Sequence, residues 1–205
     1  MIEIIDSHFV TSAPNIRLAP ENEFQNEVAF MARSNTGKSS LLNSLTQRKS
    51  LAKVSATPGK TRLINYFDVV FADRDENARL SAKFVDLPGF GYAKVAKSLK
   101  TDWEKNLTDF IAERKQIRIF VHLIDCRHPD LAIDRSVSEY LEDICTPDQT
   151  IVTIFTKIDK LNQKELSELK KRFPEALMVS NSKRKGIDTI VKYFYQLLKG
   201  DDVCT

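Results

Sequence analysis

Residues 30–45 read FMARSNTGKSSLLNSL. An apolar strand over 27–32 breaks at Ala32 into small and polar residues. The triplet Gly37-Lys38-Ser39 follows, and a helix over 38–46 carries Leu41, Leu42 and Leu45 on one face. Strand, flexible loop and helix in that order make a cradle for phosphate groups. Each residue type answers a physical demand. Inward-pointing backbone N–H groups need a flexible chain, the part of Gly37. A long cation must reach the outer phosphates, which falls to Lys38. A hydroxyl must ligate Mg²⁺, which falls to Ser39. The helix starting at Lys38 adds the positive end of its dipole. Ala32 stands where this pattern has glycine. A tight turn out of a strand needs a small residue there, and alanine gives up only positive φ.

Outward from this loop, strands and helices alternate. Strands are expected over 62–71, 80–87, 117–125, 150–157 and 176–180, and helices over 98–114, 134–145, 163–173 and 186–198. The charged turn over 73–79 makes a hairpin of its flanking strands. IRIFVHLID, 117–125, is apolar almost throughout, as buried parallel strands are. Residues 1–26, with Pro14 and Pro20, read as an N-terminal extension of strand and loop. The extension is expected to pack on a single domain over 27–200, with 201–205 a tail. This order predicts a three-layer α/β fold with helices on both faces of a mostly parallel six-stranded sheet carrying one antiparallel edge strand. Right-handed crossovers then gather the ligand loops at the carboxyl ends of the strands.

A chain of 205 residues suits one domain, and 42% hydrophobic residues give it enough material for a core. A net charge of +3 admits a nucleic-acid partner without demanding one. The opening MIEIIDSHFV has no apolar run long enough for a signal peptide, and no stretch approaches the length of a membrane span. Cys126, Cys145 and Cys204 lack metal-type spacing and read as reduced thiols in a cytoplasmic protein.

Three further loops fall at strand ends. In Asp86-Leu87-Pro88-Gly89, the carboxylate can hold a water on Mg²⁺, and the Gly89 N–H can bond a γ-phosphate and sense its presence. In Thr156-Lys157-Ile158-Asp159, the carboxylate can accept two hydrogen bonds from the N1–H and N2–H₂ edge of guanine, a pattern adenine does not offer. Lys157 would lay its stem along the ring. Thr156 stands where asparagine is usual, so the loss of one base-side or loop-bracing hydrogen bond is expected. Val179-Ser180-Asn181 ends the last strand and offers backbone N–H groups to guanine O6. Between the first helix and the hairpin, SATPGKTR contains Thr57 and Thr61, either of which has the hydroxyl to complete a Mg²⁺ shell. Asp125, at another strand end, is expected only to brace its loop.

Together the runs RSNTGKSSLLNSLTQRKSLAKVSATPGKTRLIN, VDLPGFGYAKV, DCRHP and TKID closely resemble the EngB (YihA/YsxC) family of bacterial GTPases. TPGKTRLIN and LPGFGYA are specific to that family rather than general to GTPases, and the resemblance spans nearly the whole chain. It implies a single P-loop GTPase (G) domain, Mg²⁺-GTP binding and a role in maturing the large ribosomal subunit, with rRNA and ribosomal proteins as partners. By position, Ala32, Arg33, Ser34, Asn35, Thr36, Gly37, Lys38 and Ser39 then bind phosphates. Thr61 rather than Thr57 joins Ser39 on Mg²⁺, and Gly59, Lys60, Thr61, Arg62 and Leu63 line the nucleotide. Asp86, Leu87, Pro88 and Gly89 sense the γ-phosphate; Thr156, Lys157, Ile158 and Asp159 bind guanine with Val179, Ser180 and Asn181. Lys38, Thr61 and Gly89 act on the reacting phosphate. The departure from the family pattern is Ala32.

Phosphoryl transfer needs a group to orient the attacking water, often a glutamine just after this aspartate-to-glycine motif. Here the position is Phe90, which predicts slow intrinsic hydrolysis raised by a partner. The resemblance to GTPases with asparagine at this position of the phosphate loop implies that Asn35 is the candidate to hold K⁺ beside the phosphates. Two basic clusters, Arg48, Lys49, Lys53, Lys60 and Arg62, and Lys183, Arg184 and Lys185, are candidates to face rRNA phosphates. The chain is expected to act as a monomer away from membranes. A P-loop kinase of a small metabolite would need an arginine-rich lid helix and an acceptor base, and neither is evident. A nucleotide-binding scaffold with little hydrolysis is the other alternative.

Overall fold

The computed structural model describes residues 1–48, 50–52, 63–90 and 107–200. Strands are β1 (Ile2–Ala13), β2 (Glu27–Ala32), β3 (Ile64–Asp73), β4 (Ala78–Asp86), β5 (Ile117–Asp125), β6 (Thr150–Thr156) and β7 (Leu177–Met178). Helices are α1 (Lys38–Leu45), α2 (107–113), α3 (Ala132–Ile144), α4 (Gln163–Arg172) and α5 (Ile187–Lys199). The amino-terminal part expected of α2, with Leu99 and Trp103, lies outside the described residues.

One sheet orders the strands β1-β3-β4-β2-β5-β6-β7. β4, β2, β5, β6 and β7 pair in parallel, and β3 runs antiparallel to both of its neighbours, β1 and β4. The α/β class is the expected one, but the sheet has seven strands rather than six. The antiparallel β3 is therefore second from the edge, and β1 takes the edge itself. A strand is expected within residues 1–26, but its pairing into the sheet was hidden for a physical reason. Its register with β3 shifts between Ile4 and Asp6 and again between Phe9 and Thr11. Each shift resets the period-2 alternation by which a strand is recognised. Ile5 and Phe9 consequently face outward while Ile4 and Ala13 are buried.

β2 is the centre of the molecule, and all six of its residues are buried. Alternate side chains feed two cores. Val28, Phe30 and Ala32 join Leu41, Leu42 and Leu45 of α1 and Ile190 and Phe194 of α5. Ala29 and Met31 join Phe110 of α2 and Leu141 of α3 on the opposite face. Helix α4 closes a smaller cluster through Leu169, with Ile124 and Phe155. Glu27 opens β2 at the end away from the ligand loops. Its fully buried carboxylate receives Arg114 Nε at 3.0 Å and Nη2 at 2.6 Å, and Arg114 also bonds the Pro20 carbonyl at 2.8 Å. Burial raises the cost of these charges, and the bonded pair offsets it. Cys126 and Cys145 carry free thiols, and burial pushes Cys126 up to about 11.

Phe30 meets Phe84 and Phe194 edge-on, with ring centroids 5.1 and 6.0 Å away. Phe30→Ala should cost about 3–5 kcal/mol in urea-induced unfolding, because the cavity would open beneath both α1 and α5.

Candidate functional site

β2 delivers Ala32 to a loop, 33–37, that ends where α1 begins. Ala32 is fully buried and is not among the residues with positive φ, so alanine fits its backbone without strain. The left-handed positions lie further on, at Asn35 (φ 64°) and Gly37 (φ 106°). Gly37 is the residue before α1, and any side chain there would be strained.

Side chains from two other loops hold three successive carbonyls of this segment. Lys157 Nζ donates to the Asn35 carbonyl at 2.5 Å. Thr156 Oγ1 donates to the Thr36 carbonyl at 2.6 Å, in a fully buried contact. Asn181 Nδ2 donates to the Gly37 carbonyl at 3.3 Å. In a planar trans peptide the N–H points opposite to the C=O. The N–H groups of Gly37 and Lys38 are thereby turned to the other side of the loop. Thr156 thus supplies the loop-bracing bond whose loss the sequence suggested.

Lys157 is itself held. Its Nζ lies 2.8 Å from Asp125 Oδ2, and Arg127 grips the same carboxylate at 2.9 and 2.7 Å. Burial of Asp125 raises its carboxyl, but the Arg127 and Lys157 bonds outweigh this and leave it well below the usual carboxylate range. Asp125 is therefore more than a local brace, since it orients a lysine that touches the phosphate loop. Lys157 has φ 61°, unusual for a residue with a long side chain, and Ile158–Lys160 form a single 3₁₀ turn that presents Asp159.

Asp159 accepts a hydrogen bond from Ser180 Oγ at 2.5 Å. That bond lowers its carboxyl, against a smaller upward push from burial. Ionised Asp159 is an acceptor only. Ser180 is fixed in turn by paired backbone bonds with Lys185 at 3.0 and 3.1 Å, which close the loop 180–185. Gly186 makes the closure possible: at φ 83°, a Cβ there would sit 2.2 Å from the Met178 carbonyl oxygen. The sequence marked Gly186 only as a helix start.

At the end of β4, Asp86 Oδ1 pairs with Lys38 Nζ. Gly89 lies against the phosphate loop: a Cβ on it would be 3.1 Å from Ser34 Oγ and 3.4 Å from the Ala32 carbonyl. Phe90 N donates to that same carbonyl at 3.1 Å, and Phe90 bridges Arg33 in parallel. Leu87 is buried, with its N–H on the Phe30 carbonyl at 3.2 Å. Arg33 turns its side chain away to buried Asp134 of α3, Nε lying 2.9 and 3.1 Å from the two oxygens, a pairing the sequence did not reveal.

All four described loops thus meet at the carboxyl ends of the parallel strands β2, β4, β6 and β7. Leu63 is exposed where β3 begins. Gly59, Lys60, Thr61, Arg62 and Thr57 lie outside the described residues, as do Lys49 and Lys53. For Mg²⁺, the described donors are the Ser39 hydroxyl in the first turn of α1 and the Asp86 carboxylate. No cluster of three or more His, Cys, Asp or Glu exists among the described residues. A sparse oxygen set suits Mg²⁺, which keeps several waters and takes the rest of its shell from phosphates.

Residues 27–157 match the family model described as 50S ribosome-binding GTPase. A probable GTP-binding protein EngB of Aliarcobacter butzleri strain RM4018 is 54% identical over 197 residues, covering 94% of this chain and 98% of its own. A probable GTP-binding protein EngB of Campylobacter jejuni strain RM1221 is 49% identical over 187 residues, covering 91% and 93%. A crystal structure of a probable GTP-binding protein EngB shares the fold at TM-score 0.63 and 21% identity, covering 85% of this chain and 99% of that one.

The Thr156 contact has a direct test. Thr156→Val keeps the shape but strands the buried Thr36 carbonyl, so GDP affinity should fall about tenfold. Thr156→Ser keeps the donor and should stay within about twofold of the parent by fluorescent-GDP titration.

Proposed function

This chain belongs to the EngB family of GTP-binding proteins, among the 50S ribosome-binding GTPases, and from that premise we propose that it is a slow GTPase switch acting in assembly of the large ribosomal subunit. The observation that carries the nucleotide half is the tie between the base-reading loops and the carbonyls of Asn35, Thr36 and Gly37. One ligand long enough to touch both, a guanosine di- or triphosphate, satisfies the arrangement.

The roles follow from the chemistry of the side chains. Asp159 accepts from the guanine edge, with Lys157 and Ile158 beside the ring and Val179, Ser180 and Asn181 closing the loop around it. Ala32, Arg33, Ser34, Asn35, Thr36 and Gly37 shape the phosphate cradle. Lys38 places its ammonium on the outer phosphates, exchanging Asp86 for them as partner. Ser39 and Thr61 would ligate Mg²⁺, and Asp86 would hold one of its waters. Mg²⁺ bound there would supply positive charge to offset the negative charge of the phosphates. Gly89 donates its N–H to the γ-phosphate, with Leu87 and Pro88 setting its approach, and Gly59, Lys60, Arg62 and Leu63 complete the lining.

Phe90 supports slow intrinsic turnover. Its side chain has no hydrogen-bonding group, and its ring lies 6.0 Å from that of His122 rather than offering a handle to water. A K⁺ ion held by Asn35 would supply positive charge at the phosphates. Hydrolysis should then be faster in K⁺ than in Na⁺ buffer, and equal rates would remove the ion from the mechanism.

For the partner, the exposed Lys183, Arg184 and Lys185 project from the same loop that closes on Asp159, so rRNA phosphates bound there would feel the nucleotide site. Arg48 is exposed too, with its nearest acid, Asp6, at 3.6 Å. Ribosomal proteins complete the contact, and the chain works as a monomer in the cytoplasm. Among the described residues no helix is long and apolar enough to cross a membrane.

The decisive experiment is Asp159→Asn. Asparagine offers a donor to the oxygen that xanthine carries where guanine has its amino group. Preference should move from GDP to xanthosine diphosphate by at least about a hundredfold in competition titration. A variant that kept its original preference would overturn the assignment of the base pocket.

A further inference from the structure

The sheet register places three polar side chains in one row beside the phosphate loop. Ser12 of β1 pairs with Asn65 of β3, and Asn65 pairs with Asp86 of β4. Directly paired residues of neighbouring strands project to one face. That face is the one α1 covers, since Phe67 and Phe84, two residues from Asn65 and Asp86, pack with Leu41 and Leu42. The side chains touch in sequence. Ser12 Oγ donates to Asn65 Oδ1 at 2.7 Å, and Asn65 Nδ2 donates to Asp86 Oδ2 at 3.3 Å. The other oxygen of Asp86 meets Lys38.

The order of these bonds is dictated by chemistry. An ionised carboxylate only accepts, so Asn65 must present its amide N–H₂ to Asp86. Its carbonyl oxygen then faces β1 and needs a donor, which is the Ser12 hydroxyl. Serine alone among the three can turn its hydrogen to suit its neighbour. Aspartate at 65 would set like charges side by side, and leucine would offer nothing.

We propose that Asn65 is a positioning residue for Asp86, oriented by Ser12, so that the amino-terminal strand sets the carboxylate that serves the Mg²⁺ site. Lys38 cannot do this throughout, because a bound triphosphate competes for its ammonium, whereas Asn65 has no competing ligand among the described residues. The edge strand β1 thereby becomes part of the metal site's support. This rests on the nucleotide reading above.

The test measures how Mg²⁺ slows release of a fluorescent GDP analogue from the full chain, alongside affinity in excess EDTA and thermal unfolding. Asn65→Ala should raise the Mg²⁺ concentration for half-maximal slowing about tenfold, as expected for losing a hydrogen bond to a charged group. Ser12→Ala, a milder change at the edge strand, should raise it about threefold, and Ser12→Thr, which keeps the hydroxyl, should stay within about twofold of the parent. Affinity in EDTA should stay within about twofold throughout. An unchanged Mg²⁺ midpoint in a folded Ser12→Ala or Asn65→Ala protein overturns the inference. Equal loss of affinity with and without Mg²⁺ also overturns it, as a merely structural role. A parent protein with no saturable GDP binding overturns the nucleotide reading and takes this inference with it.

Discussion

The structure depends on a constraint placed on a few peptide planes. A phosphate cradle needs backbone N–H groups on one side, and a peptide offers its N–H only opposite its carbonyl. Here the outward carbonyls of Asn35, Thr36 and Gly37 are each captured by a side chain of another loop. Without those donors, the Asn35 and Thr36 oxygens would seek other partners and the loop could rotate to find them, while the Gly37 oxygen would keep only the Leu41 N–H bond that opens α1. The capturing side chains belong to the loops that would read the base. The loops at 156–159 and 180–185 are therefore tied to the glycine-bearing loop by hydrogen bonds, and Lys157 and Asn181 cannot move without tugging residues 35–37.

That coupling requires the loops to arrive at fixed positions, which is the work of the sheet. β2 is buried along its length between two apolar layers, so its carboxyl end has little freedom. The opposite end is pinned by the buried Glu27–Arg114 pair, whose loss would leave an uncompensated charge inside the protein. Arg33, itself half-buried, is tied to the buried Asp134 at the start of α3. Both pairs fasten β2 or its extension to the helices of one face, and so limit how far that face can slide when the phosphate side is loaded.

Much of this was legible in the sequence, where local pattern and tertiary demand agree. β2 and β5 have the bounds their apolar runs indicate, because a strand buried on both faces needs no alternation. Gly37 and Lys38 announce themselves by residue type. What was hidden has no local signature. The strand within residues 1–26 was legible, but its pairing with β3 was hidden by two register shifts. The part of Asp125 rests on a lysine 32 positions away, and that of Asp134 on an arginine 101 positions away. Gly186 is fixed by the Met178 carbonyl, a close approach that only the folded chain creates. The row from Ser12 to Asp86 exists only once β1 is known to pair with β3.

The two departures from expected residue types, Ala32 and Thr156, show what such patterns encode. At Ala32 the requirement is a small side chain at negative φ, and glycine's extra freedom has no use there. At Thr156 the requirement is a donor within reach of the Thr36 carbonyl, and a hydroxyl meets it at 2.6 Å. A hydroxyl has only one hydrogen, however, so Thr156 has spent its donor on the brace. An asparagine amide carries two hydrogens and an acceptor, enough to serve the brace and the base together. On the proposed reading, choice among purines in this chain would therefore rest on Asp159 and the loop that closes over it. The Ser180 hydroxyl, which lowers the Asp159 carboxyl further and points it, would then matter correspondingly more than it would beside an asparagine.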